Sequence, residues 1–458
     1  MIKTINYKGI ILIQEIDKYL NNAKLSAVAF NGYTQVDIDK IVTAVYLAGM
    51  KNSVKMAKMA VAETGMGKWE DKVIKNTLST KYVYEDIKNL KTVGVISTNK
   101  VEGITEIAQP IGPILAIIPS TNPTSTVMFK ILIALKTRNP IIISFSHLAQ
   151  KSCSYTAELL YKVAREAGAP KNCIQWVKNP KREKTTALMK DRRLSLILAT
   201  GGEGLVNAAY SSGTPALGVG PGNVPVLIDD SVDISFAIEQ IMISKTFDNG
   251  TICASEQAIV INKNRLQEAL ETLKKQNAYI VPKHEIEALE KSIYNSEREM
   301  MSSDIVGKSA SFIAQKAGLN APENISLLVV EQTKIGKEYP LSSEILAPVI
   351  AIYASDDFND AVRICKEINT HGGMGHTASI FSNDDSKISE YSMSINAGRI
   401  IVNSPSAQGA VGGIYNNLSP SLTLGCGSGG RNITTDNITA KHLLNIQRIA
   451  KPIYLKCS

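Results

Sequence analysis

The chain has 458 residues, 44% hydrophobic and 20% charged, with a formal net charge of +8, enough for two or three domains with substantial cores. No apolar run reaches the ~18 residues a membrane helix needs, and Ile10 to Ile13 is too short for a signal-peptide core, so a cytoplasmic location and no membrane partner are expected. Six cysteines, at 153, 173, 253, 365, 426 and 457, include no C-x-x-C pair and no His/Cys cluster of zinc spacing, which argues against disulfides and a metal site. The basic excess could attract a nucleotide or a phosphate-bearing coenzyme, although a solvated basic surface is the plainer reading of it. No arginine-rich segment is interleaved with aromatics, so nucleic acid is a poor partner.

From Thr34 to Glu63 apolar residues recur at helical spacing, and Thr34 with Asp37 resembles a capped start, so one or two long helices are expected. Val93 to Ala108 alternates polar and apolar residues and reads as a β-hairpin. From Gly112 strands and helices alternate. Strands are expected at 114–118, 141–144, 174–177, 194–199 and 224–228, with helices at about 124–137, 151–167 and after Gly204. Such βαβ repeats imply an α/β fold with a parallel sheet covered on both faces. A helix is expected from Asp233 to about Phe247, and a second α/β region from Cys253 to about Ser404. The run His442 to Ile449 reads as a helix or an edge strand.

Cys253 lies in a turn-rich break. Asp248 and Asn249 favour a turn, Gly250 admits close backbone approach, and a strand-like run follows from Gln257 to Ile261. A cysteine is more often a small buried hydrophobe, but this setting presents a thiol as a nucleophile. Pro119, Ser120, Thr121 and Asn122 follow one strand and precede a helix, where open α/β sheets bind ligands. Asn122 either caps that helix or donates its amide to the oxyanion that forms when sulfur attacks an aldehyde. Thr200, Gly201 and Gly202 sit at a second strand-to-helix turn, a natural phosphate site although the strict G-x-G-x-x-G is absent. Gly218 and Gly220 belong to a third glycine-dense segment, which suggests backbone close to a ligand.

Together these stretches resemble the aldehyde dehydrogenase superfamily, and within it the CoA-acylating branch. The resemblance runs through Ser120-Thr121-Asn122-Pro123, Lys136-Thr137-Arg138-Asn139-Pro140, Ala199-Thr200-Gly201-Gly202, Ala208-Ala209-Tyr210-Ser211-Ser212-Gly213, Phe247-Asp248-Asn249-Gly250, Cys253-Ala254-Ser255-Glu256-Gln257 and Leu424-Gly425-Cys426-Gly427-Ser428. It implies a Rossmann-type cofactor domain over 1–92 and 109–232, and oligomerisation strands over 93–108 and 440–458. It further implies a catalytic domain over 233–415, a return segment over 416–439, and a homo-oligomer, a dimer or larger. Cys253 would be the catalytic thiol, Asn122 and the Cys253 N–H the oxyanion hole, and Glu344 the glutamate that orients the nicotinamide ribose. His376 matches a histidine of this branch that deprotonates CoA or contacts the cofactor, with a structural role as the alternative. Glu256 is expected to be a strand-edge or salt-bridged carboxylate rather than a base.

Hydrolytic members of the superfamily carry a water-activating glutamate in Leu-Glu-Leu-Gly-Gly, where this chain has Leu217-Gly218-Val219-Gly220-Pro221. Gly218 cannot act as a base, so the acyl acceptor implied is the thiol of CoA, a strong nucleophile near neutral pH. The expected reaction joins an aldehyde, CoA and NAD(P)+ into acyl-CoA and NAD(P)H, reversibly, through a thioester on Cys253. A small neutral aldehyde such as acetaldehyde is favoured. The alternatives are an anionic aldehyde (succinate semialdehyde or sulfoacetaldehyde), an acyl-phosphate reductase, and an inactive structural relative. Ser144 and His147 stand where many members place Lys-Pro-Ser-Glu on the adenosine ribose, so NAD is favoured as cofactor and NADP stays open. Gly429 replaces a common tryptophan, suggesting a roomier pocket, and Arg431 nearby suits an anionic substrate group.

Overall fold

The computed structural model describes residues 7–297 and 300–452, with side chains from residue 12 onward. The last residues of the 440–458 segment lie outside these. Four helices open the chain, Tyr7–Phe30, Gln35–Lys51, Ser53–Thr64 and Trp69–Thr77. The cap read from Thr34 and Asp37 is present: the Asp37 N–H donates to Thr34 Oγ1 at 3.3 Å and the Thr34 N–H to Asp37 Oδ2 at 2.9 Å.

Strands β1 (Gly94–Asn99) and β2 (Ile104–Pro110) pair antiparallel as the expected hairpin. Next come β3 (Ile114–Ile118), β4 (Ile141–Phe145), β5 (Ile174–Trp176), β6 (Leu196–Thr200) and β7 (Ala216–Val219). They form a parallel sheet in the order β5-β4-β3-β6-β7, whose order reverses between β3 and β6. Every residue of β3 and β4 is buried, as expected of strands covered on both faces. The helix Pro123–Lys136 is buried at all of its residues because it is wedged between this sheet and the N-terminal helices.

The chain continues through β8 (Val224–Ile228), β9 (Glu256–Asn262), β10 (Ala278–Ile280), the small pair β11 (Tyr294–Asn295) and β12 (Met300–Met301), then β13 (Leu327–Glu331), β14 (Val349–Ser355), β15 (Gly375–Phe381) and β16 (Ala397–Val402). Apart from the β11–β12 pair they make a seven-stranded parallel sheet, β10-β13-β14-β9-β8-β15-β16. The last strand, β17 (Leu444–Ala450), pairs antiparallel with β2, so the ambiguous C-terminal run is an edge strand.

The strand at 224–228 forms as expected but in the other sheet: β8 lies between β9 and β15. Its place beside the cofactor sheet is taken by β7, which the sequence hides because Gly218 interrupts a four-residue run. The change of sheet therefore falls between Val219 and Val224 rather than near residue 232. An apolar run announces a buried parallel strand but not its neighbour.

Candidate active site

The helix Ile234–Thr246 stops where Asp248 (φ 48°), Asn249 (φ 52°) and Gly250 (φ 71°) take three left-handed conformations in succession. Asp and Asn tolerate this region better than other non-glycine residues. At Gly250 a Cβ would lie 2.8 Å from the Ala347 carbonyl, so only glycine fits. The turn leaves Cys253 partly accessible, three residues before β9.

Asp248 anchors the turn from inside the protein. Its Oδ2 accepts from Lys75 Nζ at 2.5 Å and Lys72 Nζ at 2.8 Å, and its Oδ1 from the Lys68 N–H at 2.8 Å. Burial raises the Asp248 pKa, but the two ammonium groups outweigh it and hold the carboxyl below its ordinary range. Burial pulls Lys75 down to about 8 against the opposing pull of Asp248. Both lysines come from the helix Trp69–Thr77, and sequence reasoning missed them; their three-residue spacing puts them on one helix face but names no partner.

Asn122 precedes the helix Pro123–Lys136 and its side chain makes no capping bond, so capping does not explain the residue. Instead its Oδ1 accepts from Lys75 Nζ at 2.6 Å. An ammonium only donates, so Nδ2 must face the other way. It lies 3.2 Å from the Thr251 carbonyl, two residues before Cys253, and 3.2 Å from Thr121 Oγ1. Lys72 Nζ also holds the Thr121 carbonyl, at 2.8 Å.

On the other side of the thiol, His376 Nε2 of β15 lies 3.2 Å from Cys253 Sγ, and His376 Nδ1 lies 2.8 Å from Thr377 Oγ1. Burial, then the positive charge of Arg399, push the His376 pKa down to about 3, so the ring is neutral near neutral pH. Burial, then Glu344 and Cys426, push the thiol up to about 12, while Arg399 pulls it down. Sequence reasoning missed Arg399 as well.

Glu344 Oε1 accepts the Gly222 N–H at 2.9 Å, and a Cβ at Gly222 would collide with the Cys253 carbonyl, 2.0 Å away. Glycine there lets the chain between the two sheets touch both the Cys253 loop and Glu344. Burial raises the Glu344 carboxyl to about 7. The loop behind Glu344 is fixed by Lys245, whose Nζ donates to the Ile345 carbonyl at 3.0 Å and to Gln257 Oε1 at 2.7 Å; that oxygen also takes the Ile345 N–H at 3.0 Å. Glu256 differs from expectation. It is buried on β9 between neighbouring strands, has no ion pair among the described residues, and accepts the Ser406 N–H at 2.9 Å. Burial raises it to about 7.

The remaining site residues cluster at the carboxyl ends of the five-stranded sheet. Pro119, Ser120 and Thr121 follow β3, and Thr200, Gly201 and Gly202 close β6, the two strands flanking the reversal of order. Thr200 Oγ1 accepts from the buried Lys130 Nζ at 3.0 Å, and Gly202 stands at the N-terminus of the helix Glu203–Tyr210 without a side-chain cap. Ser144, by contrast, is buried at the end of β4 with its hydroxyl 2.7 Å from Thr185 Oγ1, whereas His147 is exposed. Gly218 lies buried on β7, where its carbonyl accepts from Asn432 Nδ2 at 2.6 Å, and Gly220 follows the strand. At Gly429 a Cβ would meet Asn396 and Met374 at 3.0 Å, so the position is closely packed rather than open, and Arg431 is exposed.

A partly accessible thiol 3.2 Å from a neutral imidazole, with an oriented amide on the Thr251 carbonyl two residues earlier in the same turn, is a candidate nucleophile site. Residues 13–416 match the aldehyde dehydrogenase family, and the chain belongs to it. It is 42% identical over 443 residues to the aldehyde-alcohol dehydrogenase of Clostridium acetobutylicum, covering 96% of this chain and 51% of that protein. The chain thus spans about half the length of that relative. The crystal structure of an acetylating aldehyde dehydrogenase from Geobacillus thermoglucosidasius superposes with a TM-score of 0.94 at 44% identity, covering 98% of this chain and 99% of the other. A propionaldehyde dehydrogenase of Rhodopseudomonas palustris with bound propionyl-CoA has a TM-score of 0.84 at 25% identity, covering 95% and 94%.

Proposed function

We propose that this chain is an acylating aldehyde dehydrogenase, converting a small neutral aldehyde, CoA and NAD(P)+ to acyl-CoA and NAD(P)H, reversibly. The observation that carries the reading is a Cys253 thiol 3.2 Å from a neutral His376 with glycine, not glutamate, at position 218. In this reading Cys253 sulfur adds to the aldehyde carbon, and the oxyanion is held by Asn122 Nδ2, whose orientation Lys75 fixes. The carboxyl ends of β3 and β6, the uncapped helix at Gly202 and the Glu344 carboxyl suit a nicotinamide dinucleotide. That cofactor, when bound, takes up the hydride. The thioester left on Cys253 is then attacked by the CoA thiolate, its proton having gone to solvent, releasing acyl-CoA and the Cys253 thiolate. His376 contributes a hydrogen bond at Sγ. Neutral with a pKa near 3, it is poorly suited to take the CoA proton.

Names of relatives favour the same chemistry, since they include an acetylating aldehyde dehydrogenase and a propionaldehyde dehydrogenase with propionyl-CoA bound. NAD is the preferred cofactor. Ser144 is engaged with Thr185, and the run Ser144-Phe145-Ser146-His147 holds no arginine or lysine to meet a 2′-phosphate. No described helix is long and apolar enough to cross a membrane, and we place the enzyme in the cytoplasm. The open edge of β17 suits pairing with a second copy in a homo-oligomer. Formation of NADH and NADPH is to be followed with neutral and anionic aldehydes, with and without CoA or phosphate, in wild type and Cys253→Ala. Turnover indifferent to CoA would overturn the acylating reading, and turnover by the alanine variant would overturn the nucleophile. Gel filtration reporting a monomer would overturn the oligomer.

A further inference from the structure

Arg399, on β16 directly beside Thr377 of β15, is only 5% exposed. Its guanidinium donates to the carbonyls of Gly425 and of Thr435, the latter at 2.8 Å, and reaches Thr377 Oγ1 at 3.5 Å. Among the described residues no carboxylate stands within ion-pair distance of it. After the Cys426 and Cys253 thiols, the carboxylate that acts on it is Asp436, an exposed side chain already paired with His442 at 2.9 Å. A buried cation with only neutral acceptors is costly unless an anion forms beside it. The other buried cations near the thiol are not in this state: Lys72 and Lys75 share Asp248, and Lys245 has Glu256 and Glu344 acting on it.

The hydrogen bonds give the same cation a route to the sulfur. Thr377 Oγ1 accepts from Arg399, which leaves its own proton for His376 Nδ1, its other partner in the described structure. An imidazole that accepts at Nδ1 carries its proton on Nε2. That proton points at Cys253 Sγ, 3.2 Å away, where it stabilises a thiolate and not a thiol.

The charged and titratable groups facing Cys253 are few. Glu344 and Cys426 both oppose the thiolate, His376 is neutral, and on the Asn122 side Lys75 is paired with Asp248, which it shares with Lys72. Arg399 is the cation that acts against burial. We propose that Arg399 is the positioning residue for the Cys253 thiolate, holding His376 through Thr377 in the tautomer that donates to Sγ and supplying the charge that the thiolate completes. The thiol proton leaves to solvent on the accessible side. The histidine then serves as a hydrogen-bond donor throughout and not as the base that makes the nucleophile.

The proposal rests on Cys253 being the nucleophile, so its test reads the thiolate without turnover. The full chain, free of cofactor, is alkylated with iodoacetamide between about pH 6 and 10, and modification of the Cys253 peptide is followed by mass spectrometry. In Arg399→Gln the alkylation rate is expected to be about tenfold or more lower at each pH of this series, where the thiolate is the minor form. Arg399→Lys keeps the charge and stays close to wild type, and Thr377→Val, which removes only the link, shifts partway. A folded Arg399→Gln whose profile superimposes on wild type would overturn the proposal, as would Arg399→Lys shifting as far as Arg399→Gln. If the glutamine variant does not fold, an unshifted Thr377→Val profile overturns it instead. Turnover by Cys253→Ala would sink the nucleophile itself, an outcome the alkylation series does not mimic.

Discussion

Two buried polar clusters flank Cys253, and they are built on opposite principles. Around Asn122 the buried cations have a carboxylate between them: Lys72 and Lys75 converge on Asp248, and the amide is held with its oxygen inward. Around His376 the charges are left open: Arg399 has no carboxylate, and the imidazole is neutral. The first cluster is complete before any substrate arrives. The second becomes complete only when negative charge appears on sulfur. A site that must hold an oxyanion and release a thiolate gains from this asymmetry, because a fixed donor serves a charge that forms at one place.

Breaking the reaction centre gives the largest effect: Cys253→Ala is expected to lower kcat by about 10³-fold or more, measured as NADH formation with saturating CoA. Next, Asn122→Ala removes the paired side's one donor and is expected to lower kcat by about 10²- to 10³-fold. It should leave the alkylation profile of Cys253 unchanged, which separates the two clusters. Asp248→Asn turns the paired cluster into an open one by stranding two buried ammonium groups, and is expected to cost about 3–5 kcal/mol in denaturant unfolding. The smallest effect concerns pH. Glu344 has its carboxyl raised to about 7 by burial and so gains its proton as pH falls through that value. NAD+ binding through a Glu344 carboxylate is therefore expected to be full above about pH 8 and to weaken towards pH 6, and titration calorimetry of Glu344→Gln should show a flat dependence. A similar slope in the glutamine variant would place the titrating group elsewhere.

Much of this was legible in the chain itself. The alternation from Gly112 onward announced parallel sheets, and Asp248-Asn249-Gly250 announced the turn that three positive φ angles now explain. What the sequence concealed was partnership across distance. Nothing in the local pattern singles out Lys72 and Lys75 before Asp248 meets them, or Arg399 before β15 lies beside it. The strand Val224–Ile228 had the right conformation in the wrong sheet for the same reason. Local pattern encodes which backbone forms, whereas pairing depends on residues the local window never contains.

Gly222 carries one more consequence. It belongs to the short segment by which the chain passes from β7 in one sheet to β8 in the other, and it is tied there to Glu344 while pressed against the Cys253 carbonyl. The link between the two sheets and the backbone that carries the thiol are therefore in direct contact, so a side chain added at Gly222 must push the Cys253 loop aside.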